Sequence, residues 1–84
     1  MEETAQKISQ IVNEYLQAAS LQDLADEISL PAHKITFTRS AVWNWKNGKA
    51  VDTDRIAQVA RFGHTERARE FARRILAAKG LQLL

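Results

Sequence analysis

Apolar side chains recur at steps of three and four through residues 2–19, where Ile8, Ile11, Val12, Tyr15 and Leu16 form one stripe of a 3.6-residue helix. Ser20 stands before Leu21-Gln22-Asp23, so its hydroxyl can accept an unpaired amide of the next turn, with Asp23 in place of the Glu or Gln of a full capping box. A second helix starts there and turns Leu21, Leu24, Ala25 and Ile28 inward. Pro31 lacks an amide donor and disfavours helical geometry at Leu30, which ends this helix near Ser29 or Leu30. Residues 32–37 alternate only weakly and read as a loop, with Ile35 and Phe37 tucked against the core. Thr38 caps a third helix over residues 39 to about 47, ended by Gly48 in the left-handed C-terminal position. Asp52 or Thr53 caps a fourth, with Ile56, Val59 and Ala60 inward and Gly63 as its stop. Thr65 caps a fifth over residues 66–79, which buries Ala68, Phe71, Ala72, Ile75 and Leu76 and stops at Gly80. Five short helices joined by loops of varied length predict an all-α, compact orthogonal bundle.

Composition adds bounds. With 84 residues, 45% hydrophobic and 26% charged, the chain is one domain over residues 1–84, too short for two cores and too apolar for disorder. It has no cysteine, which excludes a disulfide framework, a thiolate zinc site and a cysteine nucleophile, and suits a reducing compartment. The start Met1-Glu2-Glu3 is acidic and the longest apolar run is Ile75-Leu76-Ala77-Ala78, so the expectation is a cytoplasmic, nucleoid-associated protein without a membrane partner. The charge is unevenly spread. Residues 1–30 carry six acids against Lys7, a net −5, and residues 31–84 carry eleven bases against four acids, a net +7. Residues 31–50 hold Lys34, Arg39, Lys46 and Lys49 and no acid, which is either a footprint for an anion such as a phosphate backbone or a solvated face.

The run Ser40-Ala41-Val42-Trp43-Asn44-Trp45-Lys46-Asn47-Gly48-Lys49, preceded by Leu24-Ala25 and followed by Ile56 and Val59-Ala60, resembles the helix-turn-helix of the lambdoid phage Cro and repressor class, the XRE-like family. That pattern has Leu-Ala in the first helix and Ser-x-Ile/Val-x-x-Trp-x-x-Gly in the recognition helix. The resemblance spans about residues 20–62 and implies that Leu24, Ala25, Val42 and Trp45 anchor the recognition helix to the core. It also implies that Arg39, Ser40, Trp43, Asn44 and Asn47 point outward, toward DNA bases. Two departures stand out. The connection between the two helices is longer than the family's tight turn by the length of residues 31–37, which look like an insertion that is either accommodated or reaches the DNA backbone through His33, Lys34 and Thr36. Lys46 stands where the family often has Glu, which favours polyanion binding.

The residues agree independently of the resemblance. A helix of this length needs Val42 and Trp45 buried to hold it, and its other face offers Arg for guanine, Asn for adenine and a Ser hydroxyl. Lys34, Thr38, Lys46 and Lys49 are then the phosphate contacts, which fix register without reading sequence. Trp43 and Trp45 lie about 200° apart on a helix, so one is core and the other is exposed, packing on the inserted segment or stacking on DNA. His33 and His64 lack partners at metal-ligand spacing, and Asp52 and Asp54 are explained as helix-start acids, so no metal or cofactor is expected. Nothing offers a nucleophile with an oxyanion turn or a phosphate-cradling loop, so neither an enzyme nor a small-molecule substrate is expected.

In the last helix Glu70 precedes Arg73 and Arg74 by three and four residues, so part of its charge is satisfied locally. Leu81, Leu83 and Leu84 form an apolar tail that needs a partner, which points to a homodimer built from helix 66–79 and the tail. The expected function is a sequence-specific double-stranded DNA-binding regulator, a repressor of phage or mobile-element type, with helix 39–47 in the major groove of an operator. The alternatives are a protein-interaction module such as an antitoxin or antirepressor, using Trp43 and the Arg-rich last helix, and a non-specific architectural DNA binder.

Overall fold

Every helix after the first begins where a short polar side chain meets an amide that has no partner in its own helix. The computed structural model describes residues 2–80: α1 (Glu2–Leu16), α2 (Leu21–Ile28), a 3-10 turn (Pro31–His33), α3 (Arg39–Lys46), α4 (Thr53–Phe62) and α5 (Glu66–Ala78). Ser20 Oγ accepts from the Asp23 amide at 3.1 Å, Thr38 from Ala41 at 3.2 Å, Asp52 from Arg55 at 3.3 Å and Thr65 from Ala68 at 3.0 Å. Asp23 Oδ2 in turn accepts from the Ser20 amide at 3.5 Å, so the shorter carboxylate does close the reciprocal box. Asp52, not Thr53, is the cap of α4.

The helix ends have three different causes. After α3, Gly48 takes φ +84°, the left-handed position. After α4, Gly63 has φ −51°, so it is needed for closeness and not for handedness: a Cβ there would fall 2.7 Å from the Val59 carbonyl oxygen. After α2, Ser29 turns extended, and its buried hydroxyl donates to the Ala25 carbonyl at 2.7 Å while accepting from the Phe37 amide at 2.9 Å.

Residues 30–37 depart from the plain loop expected. Leu30 and Ile35 form an antiparallel bridge, with N–H···O=C bonds of 2.8 and 3.0 Å in the two directions. The Pro31–His33 turn closes it, with Lys34 left-handed at φ 58°. The segment is therefore a small hydrogen-bonded knuckle, pinned to the core by buried Leu30, Ile35 and Phe37.

α3 packs against both α1 and α2, α4 pairs with α5, and α5 also touches α1 and α2. The described residues form an all-α bundle of five α-helices around one core. Phe71 of α5 is fully buried at its centre, edge-on to Tyr15 at 5.0 Å between ring centroids and 6.4 Å from Trp45, which meets Phe37 edge-on at 5.3 Å.

Charge also holds the bundle together. Arg67 pairs with Glu27 at 3.2 Å and donates to the Tyr15 carbonyl at 2.9 Å, Thr65 donates to Glu27 at 3.0 Å, and Arg74 reaches Glu14 at 3.1 Å. Both guanidinium groups lie over the Tyr15 ring, 5.0 and 5.7 Å from its centroid, and the Tyr15 hydroxyl donates to Glu70 at 3.2 Å. The pairing of Glu70 with Arg73 and Arg74 along α5 is thereby corrected: Arg74 leaves its own helix for α1, and Glu70 accepts from Tyr15 instead. The expected apolar tail, Leu81, Leu83 and Leu84, lies outside the described residues.

Candidate nucleic-acid interface

Val42 and Trp45 are 0% and 4% exposed, and they pin α3 between α1 and α2. Leu24 and Ala25 of α2 are fully buried, as the anchoring role requires. At about 100° per residue, Arg39, Ser40, Trp43, Asn44 and Asn47 then fall within an arc of about 140° on the opposite side. All five are exposed, Trp43 to 51%, so Trp45 is the core tryptophan and Trp43 the outward one. A cationic guanidinium, a hydroxyl, an indole and two carboxamides thus share one convex face. Such a set can hydrogen-bond and stack on base edges.

One flank of this face is a shallow groove lined by Thr36, Thr38, Ala41, Asn44, Lys49, Asp52 and Arg55. The Lys49 amide donates to the Asn44 carbonyl at 2.8 Å, which folds the chain back after Gly48 and sets Lys49 beside α3. Thr38 accepts the Ala41 amide, and its own hydroxyl proton has no acceptor among the described residues. Thr36 and Arg55 belong to this flank although the sequence reading gave Thr36 only an optional backbone contact and gave Arg55 no role. Arg55 lies three residues past the Asp52 cap and pairs with it at 3.4 Å, both side chains being about half exposed. Its signal was the cap itself, since a helix that starts beside the end of α3 carries its first turn to that face.

The other flank faces α1. Lys46 is exposed, and its carbonyl accepts a hydrogen bond from Ser9 of α1. Asn47 caps the end of α3 with its side-chain nitrogen, which donates to the Trp43 carbonyl at 2.8 Å. That leaves the Asn47 carboxamide only part of its hydrogen-bonding capacity for a base. Lys34 is the one expected contact in neither flank. The preceding His33 stacks on Phe62 at 4.8 Å with rings 17° apart, so the knuckle that carries Lys34 leans on the last turn of α4.

Three of the four arginines of α5 are engaged within the bundle. Arg67 and Arg74 are held as described and Arg69 donates to the Gly63 carbonyl at 2.6 Å, which leaves Arg73 exposed. Among the described residues, no group of three His, Cys, Asp or Glu could hold a metal ion, and no helix is long and apolar enough to cross a membrane.

Comparison of the chain with protein-family models, with curated proteins and with solved structures gave no match. The functional reading therefore rests on α3 and its flanks.

Proposed function

We propose that this chain is a sequence-specific double-stranded DNA-binding regulator that lays α3 in the major groove. The observation that supports it is the division of α3: Val42 and Trp45 buried, Arg39, Ser40, Trp43 and Asn44 outward, and the Lys49–Arg55 flank beside them. A helix about 12 Å across, held by its back and offering Arg and Asn side chains, suits a groove of about that width. Arg39, Ser40 and Asn44 read bases, Trp43 makes apolar or stacking contact, and Lys46, Lys49, Thr38 and Arg55 meet phosphates. Repression by occupying a promoter is the simplest action for these residues. The resemblance to Cro-like regulators makes phage or mobile DNA the natural setting, and a homodimer would match half-sites about 34 Å apart.

The test is selection from a random-sequence duplex pool, with binding followed by fluorescence anisotropy at two salt concentrations. An enriched, near-palindromic site is the expected outcome. Retention without enrichment would reduce the role to architectural binding, and no retention at low salt would overturn the reading in favour of a protein partner at Trp43.

A further inference from the structure

The outward face of α1 carries Gln6, Gln10, Asn13 and Gln17, spaced four, three and four residues apart. At about 100° per residue these carboxamides lie within about 60° of one another, a straight row along the helix. All four are exposed, and none makes a side-chain hydrogen bond within the described structure. The row borders a long open groove whose other wall is the end of α3, at Lys46, Asn47 and Gly48. The register of the two helices is set by contact: Ser9 donates to the Lys46 carbonyl, and a Cβ on Gly48 would sit 3.5 Å from that of Ala5. Both contacts fall at the end of α3, Lys46 being its last residue and Gly48 the turn after it, so this end of α3 sits against the first turns of α1. The row therefore shares one open groove with the end of α3.

A helix in the major groove lies between two phosphate strands. The groove at Thr36, Thr38, Lys49 and Arg55 supplies donors on one side of α3. On the other side the carboxamide row and Lys46 line the open groove between α1 and the end of α3. Carboxamide N–H groups are ordinary partners of phosphate oxygens. Glu14 also borders the groove, but Arg74 Nη2 donates to both of its oxygens at 3.1 Å, so the charge it turns toward an anion is compensated.

We propose that the Gln6, Gln10, Asn13 and Gln17 row, together with Lys46, is a second contact surface for a DNA phosphate backbone, meeting the strand on the α1 side of α3. The proposal rests on the major-groove reading of α3 given above.

The experiment uses the full chain and a fixed duplex taken from the selection. Replacing all four residues by Ala keeps strong helix formers at exposed positions, and should weaken binding by tenfold or more for every duplex sequence alike. Gln10→Lys should tighten binding and steepen the dependence of log affinity on log salt by about one unit, and Gln10→Glu should do the reverse. Circular dichroism and sedimentation verify that each variant keeps its helix content and its association state. If the wild-type chain binds duplex but Gln10→Lys leaves the salt slope unchanged, this surface makes no phosphate contact and the proposal falls while the reading of α3 stands. If the quadruple variant changes association state and not duplex affinity, the row is a contact between chains and the proposal is overturned. If the wild-type chain binds no duplex, both fall together.

Discussion

Trp43 and Trp45, two residues apart, have opposite fates. Trp45 is buried among Phe37, Phe71 and the helices around it, so Trp45→Ala should cost about 3–5 kcal/mol, a large part of the stability of a domain this small. Denaturant melts should show a collapsed midpoint or no folded baseline. Trp43→Ala should leave the midpoint within about 0.5 kcal/mol of wild type and weaken duplex binding instead. With Trp45→Phe as background, the emission of Trp43 alone should start solvent-exposed and change on adding duplex; an unchanged spectrum at saturation would remove Trp43 from the interface. Asn44→Ala and Arg39→Ala belong to the same face. Each should cost about 1–3 kcal/mol on the selected duplex and relax preference at one base pair, which selection repeated with each variant reads directly. Equal loss on every sequence would make them phosphate contacts.

Among elements, the caps were the most legible feature. Ser20, Thr38, Asp52 and Thr65 are short polar side chains just before apolar periodicity, and the physics that selects them acts within four residues. The knuckle at residues 30–37 was not legible, because its bridge and the Ser29 to Phe37 hydrogen bond join residues five to eight apart with no periodic pattern. Local turn chemistry pointed to Pro31 alone. Ser29→Ala removes both a donor to Ala25 and an acceptor for the Phe37 amide in a buried place. It should lower stability by about 1–3 kcal/mol, more than the ~1 kcal/mol expected for Ser20→Ala at an exposed cap, and paired chemical melts compare the two. Near-equal effects would show that water replaces the lost partner at Phe37.

At the scale of the whole molecule, the acidic first half and the basic second half meet across the bundle, at Glu27 with Arg67 and at Glu14 with Arg74. Tyr15 lies between these pairs. Burial raises its phenol pKa from 10.0, the strongest influence on it, against the opposing hydrogen bond from Arg74. The folded chain therefore holds this proton more tightly than the unfolded chain does. Its contribution to stability is complete below the ordinary tyrosine value and is lost as pH rises through the folded one. Wild type should lose more stability between about pH 8 and pH 11 than Tyr15→Phe, as followed by denaturant midpoints; parallel curves would show that the phenol titrates alike in the folded and unfolded chains. The proposed dimer is also a whole-molecule matter. The exposed positions of α5 among the described residues are Glu66, Glu70, Arg73 and Ala77, with no large hydrophobic side chain, so dimerisation through this end depends on the leucines after Gly80. Light scattering at high concentration should report a dimer that reverts to monomer when the chain is cut after Gly80, and a monomeric full chain would remove the dimer.

Sequence alone determined the five helices, their starts, the buried stripe of each except that Leu16 and Leu21 are only partly buried, and the outward set on α3, because helix periodicity and capping act over a few residues and leave their record in spacing. Tertiary structure decided which charges neutralise one another, that Arg55 and Thr36 flank α3 while Lys34 stands apart, and that the carboxamides of α1 run beside Lys46. Those relations join residues up to 60 positions apart, as Arg74 and Glu14 are. Spacing along the chain carries no record of them, because they exist only once the packing of Phe71, Trp45 and their neighbours has set how the helices lie against one another.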